Sequence, residues 1–465
     1  MGRVSEAFAD FALKYKDYDA LPPEVVHETK RILLNSLGIA VGGLASDKGK
    51  IGVQLARIQG GTPESTLLGV GGKFSAPVAA FANAELLNGL DMDALPHIPP
   101  IVIPAILASA EASGSSGKEL IAAMAVGQEI AKRLSRIFLA VMTSSIAKYG
   151  KTPDIFGNSN EHIIGAAVGS GVAMGLNREQ LQQAIGIAAY YCSLPVCRDW
   201  ESTIPKSMIK YVPVSWIAQG AVQAAQIAKL GYTGNKDTFD NPLGYPAIYS
   251  REDVWDEEKV LERLGEVWYS TTYHYKPYPC CRFLHSDLDC FYRLMNKYHF
   301  SPEEIEAVEC HSSAFVAHPD QYAVENQVDA QFSGPYCIAL AAHKYKPGPA
   351  WQDKAALTDP AVREFMKKVT MHIDPHYAEL RKTDMNTWYA RVEIKARGET
   401  FVEETNYSWG TNVEGYRLTE EELKTMFRTC ASVVLPDDKI ERAIHRILHL
   451  EEEPDLKGLM ADLSL

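Results

Sequence analysis

Apolar positions recur with helical spacing through roughly the first 265 residues, in the i, i+3, i+4 register that gathers them on one face of a helix. In LPPEVVHETKRILLNSLGIAVGG a proline stands at the first helical turn, and Val26, Ile32, Leu33 and Leu37 fall near one face. SGKELIAAMAVGQEIAKRLSRIF opens on Ser116 as a cap and keeps the period. NREQLQQAIGIAAYYC and VSWIAQGAVQAAQIAKLG predict two more helices, the second stopped by Gly231. The glycines and alanines of GAAVGSGVAMG and AQGAVQAAQIA point to close helix packing rather than a phosphate loop. GVGG at 69–72 lacks the strand, spacing and acidic partner of a dinucleotide site, so it reads as a turn.

Near residue 266 the pattern changes. VWYSTTYHYKPYP is aromatic and β-leaning, and a helix is predicted from about Phe283 to Tyr298. IEAVECH at 305–311, residues 369–373 and the alternating ARVEIKARGETFVEE at 390–404 predict strands. Helical spacing returns in TEEELKTMFRTCASVV and DDKIERAIHRILHLEE. The expected fold is mainly α: an all-helical domain built from both chain ends (1–268 and 409–465), with an inserted α+β lid over 269–408.

Composition narrows the class. With 46% hydrophobic and 23% charged residues the chain is an ordinary globular protein. A formal net charge of −13 argues against a nucleic-acid surface. The longest weakly polar run, IIGAAVGSGVAMGL, is too short to span a bilayer. Eight cysteines, with an N-terminus that reads as an amphipathic helix rather than a secretory signal, predict reduced thiols and a cytoplasmic setting.

Four segments carry candidate chemistry. KPYPCCRFLH at 276–285 holds a lysine, adjacent cysteines, an arginine and a histidine. Zinc takes separated ligand pairs and a redox pair takes C-x-x-C, so Cys280 and Cys281 fit neither. Lys276 and Arg282 near a helix start suit an anion, with His285 on the same turn as a proton donor; the plain alternative is a stiffened domain junction. NGLDMDALPHIPP places Asp91, Asp93 and His97 in a polar island, the setting of an imidazole oriented as a base, or else of capping aspartates. Lys206 and Lys210, four apart in IPKSMIKYVPVSW, share a face if that stretch is helical, and apolar neighbours turn one ammonium toward a pocket. QFSGPY places Ser333 and Tyr336 before an apolar helix, as donors to a substrate oxygen or as capping and core residues.

Taken together, VVHETKRILLNSLGIAVGG, FANAELLNGLDMD, GAAVGSGVAMGLN, GAVQAAQIAKLGYTG, KPYPCCRFLH and AQFSGPYCIALA give a chain that resembles the MmgE/PrpD family over nearly its full length. That family includes 2-methylcitrate dehydratase, cis-aconitate decarboxylase and iminodisuccinate epimerase. The resemblance implies a homodimer, no metal or organic cofactor, small di- or tricarboxylate substrates and a cleft site between the domains. Carried over by position, it marks Asp91, His97, Lys210, Lys276, His285 and Tyr336. The chain also departs from the family. Ala94 replaces a second aspartate, and Phe156 stands where some members have a site histidine, with His162 nearby as a substitute. Cys281 stands where the decarboxylase has a histidine. These departures count against the decarboxylase and leave the substrate open.

The expected chemistry is handling of a proton on carbon next to a carboxylate, which needs a base and nearby cations. His97 is the expected base, oriented by Asp91. Lys210, Lys276 and Arg282 are expected to hold substrate carboxylates, with Asp93, Ser333, Cys281 and His162 also at the site. His285 or Tyr336 is expected to protonate a leaving hydroxyl. Dehydration of a hydroxy-polycarboxylate is the leading expectation. Decarboxylation and epimerisation share the same carbanion, and a catalytically idle dimer is the rival from another class.

Overall fold

The computed structural model describes residues 2–149, 153–249, 254–313 and 319–465. Its centre is the helix Pro23–Gly42, which begins at a proline whose missing N–H is harmless there. The sequence marks one apolar face, but the helix is buried almost all round, Asn35 and Ser36 included. The cause is its position between helix Ala76–Gly89 and helix Glu420–Ala431. The latter starts at a Thr419–Glu422 capping box and brings the chain's end back onto its beginning. It approaches so closely that a Cβ on Gly38 would lie 2.7 Å from the Phe427 backbone.

The small residues act in the same way. Helix Gly117–Tyr149, opened by Ser116 and Glu119 bonding reciprocally, packs along helix His162–Ala173. A Cβ on Gly165 would meet the Gly127 carbonyl oxygen at 2.2 Å, so only glycine fits. Helices Pro99–Ser113 and Val214–Lys229 complete this packed layer.

The inserted α+β region holds a four-stranded sheet in the order Val369–Ile373, Ile305–Ser312, Ala390–Ala396, Glu399–Thr405. The first pair is parallel and the other two are antiparallel. Val308, Cys310, Val392 and Ile394 alternate inward beneath helix His285–Tyr298, the period-2 pattern of a half-buried sheet. VWYSTTYHYKPYP differs from its β-leaning composition. It holds a 3₁₀ turn at Tyr269–Thr271 and two isolated bridges, Val267 with Leu264 and His274 with Leu95. Trp268, Tyr273 and Tyr275 are instead buried in the helical core, because their rings find more apolar contact there than an edge strand offers. The second core begins at Tyr278, and Phe332 and Trp409 pack against both cores. No helix among the described residues is long and apolar enough to cross a membrane.

Candidate active site

Two aspartates that follow helix Ala76–Gly89 organise the site. Asp91 adopts φ 55°, a left-handed conformation rare outside glycine, which turns the chain as it leaves the helix. Its two oxygens accept from two different lysines: Lys210 Nζ at 2.8 Å and Lys276 Nζ at 2.5 Å. All three residues are buried. Burial pushes the Asp91 carboxyl up, but Lys210, Lys276 and His97 outweigh it and hold the group well below the usual carboxylate range. Burial lowers Lys210 to about 8 despite Asp91, with Lys48 adding repulsion. Lys276 ends above its ordinary value, because Asp91 and Asp93 together overcome its burial.

Asp93 holds His97. Its Oδ2 lies 2.5 Å from His97 Nδ1, while Asn88 Nδ2 donates to Oδ1 at 3.3 Å. Burial raises Asp93, but the imidazole overcomes it and the carboxyl stays low. An ionised carboxylate on Nδ1 fixes the tautomer that leaves Nε2 as the basic nitrogen. The Tyr211 hydroxyl lies 2.8 Å from the same Nδ1, with the two rings 4.4 Å apart. The expectation that Asp91 orients His97 is therefore corrected. The left-handed turn at Asp91 gives that carboxylate to the lysines and leaves the imidazole to Asp93.

Beside them lies a cavity of about 400 Å³ between the two cores. Asp91, His97, Lys276, Cys281 and Arg282 line it. Lys210 and Asp93 are not among the lining residues; Lys210 donates to Asp91 and Asp93 bonds His97. Arg282 is largely committed: its guanidinium donates to the Tyr275, Trp409 and Ser408 carbonyls and to Thr411 Oγ1. Four other expected residues do not line the cavity. His285 is wedged between Arg282 and the Cys280 carbonyl, and burial, with Arg282 and Lys276 nearby, keeps it neutral. Tyr336 donates to the Trp351 carbonyl, and Ser333 caps helix Gly334–Ala342. His162 Nδ1 bonds the His97 carbonyl at 3.1 Å, fixing the backbone behind the imidazole. Lys206 and Lys210 do not share a helical face either. Residues 203–213 form turns, with Lys210 at φ 57° and Lys206 donating to the Glu201 carbonyl at 2.6 Å.

Residues 6–258 match the MmgE/PrpD N-terminal domain and residues 278–450 the MmgE/PrpD C-terminal domain. The chain belongs to the MmgE/PrpD family. A cis-aconitate decarboxylase of Mus musculus is 25% identical across 98% of this chain and 92% of its own. The Homo sapiens cis-aconitate decarboxylase is 23% identical across 98% and 93%. A cis-aconitate decarboxylase-like protein of Aspergillus oryzae is 23% identical across 100% and 98%.

Within this family frame, the cavity contains residues that sequence reasoning passed over. Tyr211 follows Lys210 directly and is turned inward by the same left-handed backbone. Its phenol is kept protonated by burial and by Asp93 and Asp91. Lys132 sits beside the buried Glu129–Arg133 pair on helix Gly117–Tyr149, and a charged cluster inside a buried stretch was the available signal. Trp200 and Phe332 stack edge to face at 5.0 Å on the wall, and Phe156 packs on Phe138 at 4.3 Å. The position that holds a histidine in some family members is thus part of an apolar wall here.

Proposed function

We propose that this chain is a lyase acting, without a metal or organic cofactor, on a small polycarboxylate. The observation that carries this reading is one juxtaposition. His97, with Nδ1 held by Asp93, stands on the same cavity wall as Lys276, an ammonium whose proton Asp91 and Asp93 hold more tightly than usual. A proton can move at His97 Nε2 while Lys276 stabilises the charge that develops on a neighbouring carboxylate.

Decarboxylation of an unsaturated tricarboxylate such as cis-aconitate is the first reading. It is supported by the names of the full-length relatives and by the absence of His285 and Tyr336 from the cavity wall. The bond to the departing carboxylate breaks and CO₂ leaves. The electron pair is delocalised toward the carboxylate at Lys276, and the imidazolium delivers a proton to carbon. Dehydration is the second reading, and Tyr211 favours it. Its neutral phenol lines the cavity beside His97 and offers a proton to a departing hydroxyl while His97 takes one from carbon. Incubation with cis-aconitate and a set of hydroxy-tricarboxylates, followed by proton NMR and CO₂ detection, tests this. CO₂ release supports the first reading and water loss the second; neither reaction with any of them overturns the proposal.

A further inference from the structure

The cavity has a second cationic wall, away from Asp91. Lys132 is buried on helix Gly117–Tyr149 and lines the cavity. Its ammonium donates to one acceptor, the Thr272 carbonyl at 3.1 Å, and lies 4.9 Å from the Tyr273 ring centre. Among the described residues it forms no ion pair. The acids that act on it most are engaged elsewhere. Glu129 accepts from Arg133 and from the Ser270 N–H, and Glu28 accepts from Tyr275 and Arg417.

His274 stands next to it. The imidazole Nδ1 accepts from the Asn412 N–H at 3.1 Å, and burial beside Lys132, Arg282 and Arg381 keeps the ring neutral. A neutral ring that accepts at Nδ1 carries its proton on Nε2, so His274 offers a donor on the cavity wall. Every charge acting on it is positive. Arg381 completes the group. Its guanidinium lies 5.1 Å from the Trp388 ring centre, with Nη1 donating to the Thr387 carbonyl at 2.9 Å. Nε and Nη2 make no hydrogen bond among the described residues. The two carboxylates on the cavity wall are engaged elsewhere, Asp91 with Lys210 and Lys276 and Glu201 with Arg198.

Positive charge gathered in a buried cavity without a counter-ion is unfavourable unless an anion fills it. We propose that Lys132, His274 and Arg381 form a second anion subsite, which takes a substrate carboxylate remote from the carbon at His97. The inference rests on the reading above, that the cavity accepts a carboxylate at Lys276. It adds which residues hold a further carboxylate of that polycarboxylate, on the same cavity wall as the apolar pair Phe138 and Phe156. The two ends divide the work. One binds where charge changes, and the other binds equally well before and during reaction.

Calorimetric titration with tricarballylate, a saturated tricarboxylate with no bond to break, tests the subsite without requiring turnover. Lys132→Met and Arg381→Met should each weaken binding roughly 10–100-fold, the worth of a hydrogen bond to a charged group. Lys132→Arg should restore most of it. Arg381 is only half-buried, so its variant carries the test if Lys132→Met fails to fold. Unchanged affinity in both methionine variants, with binding lost in Lys276→Met, overturns the subsite and leaves the carboxylate cavity standing. No binding to the unmodified protein overturns both.

Discussion

Asp93 Oδ2 lies 2.5 Å from Nδ1 of His97, four residues further along the chain. This contact divides the acidic segment into two functions. Asp93 sets the tautomer of an imidazole, and Asp91 neutralises part of a buried lysine pair. Replacing His97 by alanine should lower kcat roughly 10²–10⁴-fold, the usual worth of a positioned proton-transfer group. KM should change much less, because the group acts mainly in the transition state. Asp93→Asn should follow the same pattern with a smaller loss, measured by steady-state kinetics on the substrate identified as above.

Asp91→Ala should act on stability first. It leaves two buried ammoniums without their shared counter-charge, and breaking a buried pair from one side costs about 3–5 kcal/mol. Urea denaturation monitored by circular dichroism measures this. Adding Lys210→Met to Asp91→Ala should recover part of the loss, since it removes one of the stranded charges.

The lysines give the pH dependence a definite sign. Burial lowers Lys132 to about 7 from an ordinary value of 10.5, with Glu129 and Glu28 opposing only in part. Between those values the unfolded chain holds a proton that the folded chain, with no anion in the cavity, has released, so this group makes stability rise with pH across that window. Lys210, lowered to about 8, acts in the same direction over the upper part. Lys132→Met should flatten the slope of unfolding free energy against pH above 7. An unchanged slope would show that Lys132 does not lose its proton in the folded protein.

A second copy of the chain is the expected partner. Ile155, Leu194 and Val196 are exposed, and the Phe156–Val196 bridge brings them together as one apolar patch. Sedimentation at micromolar concentration should give twice the 51.4 kDa of one chain. Leu194→Glu should shift the protein toward that single-chain mass. A single-chain mass for the unmodified protein would remove the expectation.

Much of the fold was legible because its signals are local. The cap read at Ser116 marks a real helix start, the helices read in NREQLQQAIGIAAYYC and TEEELKTMFRTCASVV open on capping boxes at Asn177 and Thr419, and alternation in 390–404 marks a real hairpin. The site was less legible because its geometry depends on backbone that no period announces. IPKSMIKYVPVSW has apolar spacing compatible with a helix, but Pro205 and Pro213 bracket a turn in which Lys210 takes a positive φ. Lys206, which the spacing placed on one helix face with Lys210, is instead buried against Trp200. Its alanine variant should therefore disturb the cavity wall instead of being neutral. His285 and Tyr336 fell in the right neighbourhood but are turned into the second core, where backbone carbonyls occupy their polar atoms. Lys132, His274 and Arg381 come from three distant segments, which only the folded chain brings to one cavity.

The central claim is that His97 moves a proton at a carbon beside a carboxylate. Proton NMR in deuterated water, with cis-aconitate and the hydroxy-tricarboxylates, tests it most directly by comparing the unmodified protein with His97→Gln. The account predicts deuterium at a carbon adjacent to a carboxylate in substrate or product, and its loss in His97→Gln while tricarballylate still binds. Equal deuterium incorporation by both proteins would contradict the role of His97, and neither deuterium incorporation nor loss of CO₂ or water with any of these compounds would favour a catalytically idle dimer.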